Sequence, residues 1–234
     1  MSKTETHHFQ AEIQQLLNIV IHSLYTDKEI FIRELISNAA DACEKLRFTQ
    51  SSGKAVQQSD VAPGIAITTD DKAGTITITD TGIGMTHGEL VENLGTIAHS
   101  GTKAFLKQPA EDKKPDVGLI GQFGVGFYSA FMVAKKVTVL SRSFVSEEQG
   151  WQWTSEGGGG YELEPAADLP RGTKITLELK EEAKEFAQAD AVERIIQRYS
   201  SFVPFPIELN AKRLNTVQAI WARNKSEIKE EEYN

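Results

Sequence analysis

Glu34, Asn38 and Asp41 stand four and three residues apart in Phe31-Ile-Arg-Glu-Leu-Ile-Ser-Asn-Ala-Ala-Asp-Ala-Cys43. At about 100° per residue, with Glu34 at zero, Asn38 falls near 40° and Asp41 near −20°, so all three share one stripe of a helix. A carboxylate, an amide and a second carboxylate at the edge of a buried face can hold a metal ion and orient water. The same residues also fit a solvated stripe in which Asp41 pairs with Lys45 at i,i+4. A second group is Asp80-Thr-Gly-Ile-Gly-Met85, directly after a strictly alternating run. A carboxylate at a strand end can accept from an amino group in a pocket, and Gly82 and Gly84 let backbone approach a flat ligand. A tight turn with an Asx motif fits these residues too. The third group is Gly121-Gln-Phe-Gly-Val-Gly126, running into Phe127-Tyr-Ser-Ala-Phe131. Glycines before a helix start leave N–H groups that can cradle phosphate, helped by the helix dipole. No Gly-Lys-Ser/Thr follows, and Gly124-x-Gly126 is succeeded by Ser129 without a preceding strand, so neither a Walker loop nor a dinucleotide fingerprint is present. A plain flexible loop is the other reading. Gly95-Thr-Ile-Ala-His-Ser-Gly-Thr102 adds hydroxyls between hinge glycines, and Arg171-Gly172-Thr173 opens another alternating strand.

Several elements must position these groups. Phe9, Ile13, Leu16, Leu17, Val20 and Leu24 recur at helical steps, predicting a helix over 9–25. Asp27 sits where an N-cap would, and a second helix runs from Lys28 to near Arg47. On it Phe31, Leu35, Ala39, Ala42 and Leu46 occupy about 60–140° and form the buried arc, while Arg33, Ser37 and Glu44 are the solvent face. Cys43 is a packing residue. Gln50–Gly64 reads as a loop. Ile65–Thr69 and Thr75–Thr79 form a hairpin about Asp70–Gly74. Short helices are expected over 86–94 and 102–107, and a better one from Gly124 through Met132. An irregular stretch of this length is usually functional, often a lid. Strands are expected near Val137–Arg142, Gln149–Ser155, Tyr161–Glu164, Lys174–Lys180, Pro206–Asn210 and Val217–Trp221, with a helix over 190–200. Strands mixed with helices, without βαβα alternation, predict an α+β two-layer sandwich, with a mixed, mostly antiparallel sheet of about eight strands and helices on one face.

Composition narrows the function classes. The 234 residues carry 25 basic and 33 acidic side chains, for a net charge of −8. Excess acid disfavours nucleic acid and anionic lipid as partners. No apolar run approaches a membrane span, and Met1-Ser-Lys-Thr-Glu-Thr-His-His8 lacks a signal-peptide core. One cysteine makes no internal disulfide. A soluble cytoplasmic domain is the expectation.

The order of the motifs resembles the nucleotide-binding fold of the gyrase, chaperone, histidine-kinase and mismatch-repair superfamily. Within it, Phe31–Ala42, Asn93-Leu-Gly-Thr-Ile-Ala98, Ser100-Gly-Thr-Lys103 and Ile120-Gly-Gln-Phe-Gly-Val-Gly-Phe-Tyr-Ser129 resemble the N-terminal domain of the ninety-kilodalton heat-shock chaperones. Trp221-Ala-Arg-Asn-Lys-Ser-Glu-Ile228 is similar to the start of that family's middle domain. The short connection from Asn210 to Val217 favours the bacterial, high-temperature protein G type over eukaryotic cytosolic members. The resemblance implies a nucleotide-binding domain over 1–216, with a lid at about 94–126, and a last strand and connection to a middle domain over 217–234.

The resemblance also implies roles. Glu34 is the general base that polarises the attacking water, and Asn38 holds Mg²⁺ through its amide oxygen. Asp41 and Ala42 line the nucleotide site. Asp80 accepts from the adenine amino group, with Thr173 and Gly84 close to the base and Met85 packed on it. Asn93 lies near the ribose and α-phosphate. Backbone groups of Gly121, Gln122, Phe123, Gly124, Val125, Gly126 and Phe127 cradle the phosphates. ATP/ADP and Mg²⁺ are the implied cofactors. Unfolded or partly folded client proteins and a second copy in a homodimer are the implied partners. Two residues depart from the family's pattern: His99 replaces the usual lysine, which implies pH-dependent affinity near neutrality, and Ala40 replaces a common serine. Full hydrolysis in the family also uses an arginine of the middle domain, so slow turnover is expected of these residues alone. The alternative is a nucleotide-gated binding module with negligible hydrolysis. A sensor kinase or gyrase-type ATPase would need a phosphoacceptor helix or a DNA-facing domain, and neither is visible.

Overall fold

The computed structural model describes residues 27–96, 126–145, 147–158 and 160–215, together with the backbone of 5–8. The helices expected over 9–25 and 102–107, the glycine run before Gly126, His99, the strand Val217–Trp221 and the tail all lie outside the described residues.

Among the described residues, nine strands form one sheet. They are β1 (Glu5–His8), β2 (Ile65–Asp70), β3 (Thr75–Asp80), β4 (Ala134–Arg142), β5 (Gly150–Ser155), β6 (Gly160–Ala166), β7 (Gly172–Leu179), β8 (Ile207–Leu209) and β9 (Lys212–Arg213). Their spatial order is β1-β6-β5-β4-β7-β3-β2-β8-β9, and only β2 and β8 run parallel. The mixed, mostly antiparallel α+β sheet is the one expected, with two edge strands that were not, β1 and β9, while the expected strand Val217–Trp221 lies outside the described residues. Strand β1 pairs Glu5–His8 with Leu163–Gly160 on β6, and a four-residue strand carrying two histidines has too little alternation to be recognised.

Period-two alternation puts one row of side chains across the helix-covered face. Leu163, Trp153, Val139, Ile175, Ile78, Ile67 and Leu209 stand side by side on seven successive strands. All but Ile175 are buried. The opposite face carries exposed Ala66, Thr68, Glu162 and Lys174, and a contact between the Thr77 and Thr176 hydroxyls at 3.1 Å. One face dry and one wet is what antiparallel alternation produces.

The helix that covers this face is α1 (Ile30–Ser51). Asp27 does not cap it through the expected register. Its Oδ1 accepts from Glu29 N at 3.0 Å, and the helix begins two residues later than expected. It also runs past Arg47 to Ser51, and in its last turns the Thr49, Ser51 and Ser52 hydroxyls donate to the Lys45, Phe48 and Thr49 carbonyls. The buried face is wider than the expected arc: Ile32, Ile36, Ala40 and Cys43 join Phe31, Leu35, Ala39 and Leu46. The sheet lies on one side of α1 and α4 (Ala189–Tyr199) packs against another. Phe31 meets Phe186 of the 3-10 segment Glu181–Ala187 edge-on at 5.1 Å. A helix buried most of the way round is apolar most of the way round.

Two shorter helices flank the undescribed 97–125 stretch. Helix α2 (His87–Gly95) starts at a capping box in which Thr86 and Glu89 satisfy each other's backbone N–H groups. On the other side, a 3-10 turn at Gly126–Ser129 leads into α3 (Ala130–Val133). Tyr128 Oη donates to Leu94 O at 2.8 Å, so the two ends of that stretch are tied together.

Candidate functional site

The row after the apolar one across the sheet reads Pro165, Trp151, Ser141, Thr173, Asp80, Ile65, Ile207. Its centre is polar and its flanks are not. Asp80 is 6% exposed, Thr173 8% and Ser141 1%, so a carboxyl and two hydroxyls are buried at one end of three central strands. A buried polar group needs partners, and these have them. Asp80 Oδ1 accepts from Gly82 N at 2.8 Å. Ser141 Oγ meets Thr173 Oγ1 at 2.9 Å and Gly172 O at 3.1 Å, and it accepts from Met85 N at 3.0 Å. Burial pushes Asp80 up to about 7, against the opposing pull of backbone hydrogen bonds from Gly82 and Thr173 and of the Arg171 charge.

The turn Asp80–Met85 has no room for side chains at its glycines. A Cβ on Gly82 would lie 2.6 Å from the Ala42 carbonyl carbon. Gly84 has φ +64° and would drive a Cβ into the Arg142 carbonyl. Backbone pairing completes the fit: Ile83 N donates to Ala42 O at 3.0 Å, and Phe144 N to Ile83 O at 2.8 Å. The turn is therefore pressed between α1 and the end of β4.

Glu34, Asn38, Asp41 and Ala42 all lie on α1. Asp41 is buried at 4% exposure, and its charge and that of Glu89 both act on Lys45, whose ammonium burial pushes down. The solvated-stripe reading thus keeps its Asp41–Lys45 interaction but loses its solvent at Asp41, while Glu34 and Asn38 stay half-buried. Glu34 points elsewhere. Its Oε1 accepts from Arg33 Nη2 at 2.8 Å and from Arg33 Nε at 3.3 Å. Its Oε2 lies 2.5 Å from where a Cβ on Gly126 would be. Gly126 is the last residue of the glycine run, so the carboxylate abuts the head of the 3-10 turn.

These contacts make α1 a ruler. Ala42 touches the Asp80 turn and Glu34 touches Gly126, eight residues apart, a rise of about 12 Å. Asn38 stands midway. The structure thus brings Glu34, Asn38, Asp41, Ala42, Asp80, Gly84, Met85, Gly126 and Thr173 along one helix and one sheet end. Asn93 lies on α2, which starts beside Met85. Phe127 is buried, its ring edge-on to Trp153 at 5.6 Å. Gly121, Gln122, Phe123, Gly124 and Val125 lie outside the described residues. Among the described residues no group of three His, Cys, Asp or Glu side chains could hold a metal ion.

One residue of the site, Ser141, escaped the sequence reading, and another, Arg171, entered it only as the residue that opens a strand. Ser141 follows Val137 and Val139 in period two, and a serine at an inward strand position is a readable signal. Arg171 is 2% exposed and has no such signal.

Residues 25–156 match the family described as histidine kinase-, DNA gyrase B- and HSP90-like ATPase. The chaperone protein HtpG of Desulfitobacterium hafniense (strain Y51) is 61% identical over 235 residues, covering 100% of this chain and 38% of that protein. The chaperone protein HtpG of Desulfotalea psychrophila is 52% identical over 234 residues, again 100% of this chain and 38% of the relative. The mitochondrial 75 kDa heat shock protein of Rattus norvegicus is 53% identical over 226 residues, 96% of this chain and 31% of the relative. The chain thus spans less than two fifths of the length of these curated relatives.

Proposed function

The chain belongs to the histidine kinase-, DNA gyrase B- and HSP90-like ATPase family, and from that premise we propose that it binds and hydrolyses ATP as the nucleotide domain of a molecular chaperone. The observation that carries the reading is the α1 ruler. Ala42 touches the turn that follows the buried carboxyl of Asp80, and Glu34 touches the glycine turn at Gly126, the two separated along the helix by a rise of about 12 Å, comparable to the reach from a purine base to its phosphates.

Asp80 accepts from the adenine amino group, with Thr173 and Gly84 beside the base, Met85 against it and Asn93 towards the ribose. The backbone of Gly121–Phe127 cradles the phosphates, and residues 94–126 close over them as a lid. The donor set fits Mg²⁺ held by few protein atoms: Asn38 offers one amide oxygen, and Mg²⁺ commonly completes its shell with phosphate and water. When bound, the ion supplies charge neutralisation of the phosphates. Glu34 orients and polarises the attacking water. Asp41 and Ala42 support the base end, Ala42 through its carbonyl on Ile83. Residues 1–216 form the nucleotide domain and 217–234 lead towards a middle domain. Client proteins complete the proposal, supported by the word chaperone in the names of the relatives, and a homodimeric assembly and a cytoplasmic setting belong to the same reading. Among the described residues no helix is long and apolar enough to cross a membrane.

Single-turnover ATP hydrolysis with and without Glu34→Ala tests the reading. The variant is expected to bind ATP and lose hydrolysis. Equal rates would remove Glu34 as the base and leave a nucleotide-gated binding module.

A further inference from the structure

Arg171 is the most heavily bonded side chain in the described residues, and the proposed chemistry does not use it. Guanidinium has five N–H donors in a fixed fork. All five find backbone carbonyls. Nε donates to Gln57 O at 3.0 Å, and Nη2 donates to Gln58 O at 3.2 Å and Val61 O at 3.0 Å. Nη1 donates to Gly82 O at 2.8 Å and to Thr81 O. The Arg171 N–H adds a bond to Gln58 Oε1 at 2.8 Å.

This arrangement is unusual for a buried cation, which ordinarily meets a carboxylate. Here the carbonyls do the solvating, and they come from two separate loops. One is 57–61, between α1 and β2. There Gln57 also donates through Nε2 to Ser143 O and Val145 O, and through its backbone to Phe144 O. Gln58 sits at φ +52°, a left-handed position that a non-glycine residue holds only under tertiary constraint. The other is the turn after Asp80. Carbonyls of Thr81 and Gly82 that point at Arg171 force the Gly82 N–H the other way, onto Asp80 Oδ1 at 2.8 Å.

We propose that Arg171 is a positioning residue for nucleotide binding: by clasping the Thr81 and Gly82 carbonyls it orients the turn, and so aims the Asp80 carboxyl at the base. The proposal rests on Asp80 being the base acceptor. It makes a demand that a merely stabilising arginine would not: the effect of losing the clasp must run through Asp80. Lysine cannot replace it, because an ammonium has three donors and no planar fork.

The test is calorimetry with ADP on the parent, Arg171→Lys, Asp80→Asn and the double variant, each checked for folding by circular dichroism. Arg171→Lys is expected to weaken ADP by about tenfold. In the Asp80→Asn background the same change is expected to cost less than about twofold, a coupling that the double-mutant cycle reads directly. Multiplicative losses, or an unchanged ADP affinity in Arg171→Lys, would overturn the positioning role. If Arg171→Lys does not fold, Gln58→Gly decides. It removes the side-chain acceptor of Arg171 N while keeping the backbone carbonyl, and it is expected to weaken ADP about threefold with the same coupling to Asp80. Full parental affinity in that variant would equally overturn the proposal. A parent that fails to bind ADP, or an Asp80→Asn variant that binds it as the parent does, would instead sink the nucleotide reading itself.

Discussion

Replacing Asp80 with asparagine removes a carboxyl that burial has pushed from 3.8 to about 7. Between those two values the folded protein holds a proton there that the unfolded chain releases. The folded state binds more protons, so stability falls as pH rises. The contribution is fully present below the unfolded value and is lost as pH climbs through the folded one. Populating both states with these values gives a loss of about 2–3 kcal/mol between pH 5 and pH 8 from this residue alone. Neighbouring groups do not add to it. Burial pushes the Cys43 thiol up and away from this window, and although burial lowers Arg171, guanidinium stays protonated there. Asparagine keeps an oxygen for the Gly82 N–H but does not titrate. Urea unfolding of parent and Asp80→Asn at pH 5, 6, 7 and 8, without nucleotide, reads the difference. The variant is expected to gain about 2–3 kcal/mol on the parent across that range. The same variant is expected to lose ADP affinity by about 1–3 kcal/mol, since an amide can present its donor to the adenine amino group. A stability difference that stays flat within about 0.5 kcal/mol from pH 5 to pH 8 would refute the reasoning, because linkage demands a slope.

Two further substitutions probe the ends of the site. Gly126→Ala places a methyl 2.5 Å from Glu34 Oε2 and 3.3 Å from its Cβ, so single-turnover hydrolysis is expected to fall about 10- to 100-fold, with ADP affinity by calorimetry weakened as well because Gly126 belongs to the phosphate cradle; undiminished hydrolysis would contradict the assigned position of the carboxylate. Ala211→Gly relieves a left-handed residue at φ +66° next to Asn210 at φ +48° in the β8–β9 turn, and it is expected to raise stability by about 0.5–1 kcal/mol, seen as a higher urea midpoint with ADP binding unaltered.

What could be read from the residues, and what could not, divides along physical lines. Strand β3 alternates strictly, its burial follows that alternation, and Asp80 at its end lies on the inward side. Helix α2 was legible through Thr86 and Glu89, whose reciprocal cap is local chemistry. The width of the buried face of α1 was not, because Ile32 and Ile36 are buried on a helix that packs against both the sheet and α4, and no local pattern tells how many neighbours a helix will have. The 3-10 segment Glu181–Ala187 was missed because Glu-Glu-Ala-Lys-Glu-Phe reads as solvated helix or loop, while its structure depends on burying Ala183 and Phe186 under the sheet. Arg171 was passed over for the same kind of reason. Its five carbonyl partners lie 89 to 114 residues away in sequence, and backbone groups leave no mark in composition.

That sequence separation has a bearing on how the chain is made. Strand β3 is completed by β7, so Asp80 meets Thr173 only after nearly a hundred residues more have been synthesised. Emerging from a ribosome, residues 27–96 would carry the helix, the hairpin and the carboxyl, yet Arg171 and Thr173 would still be missing. Non-local pairing of this kind forms late and slowly. Nucleotide capture by a nascent chain would therefore mark the moment β7 docks, and growing chains stalled before and after residue 180 should differ in ATP retention as an all-or-none step.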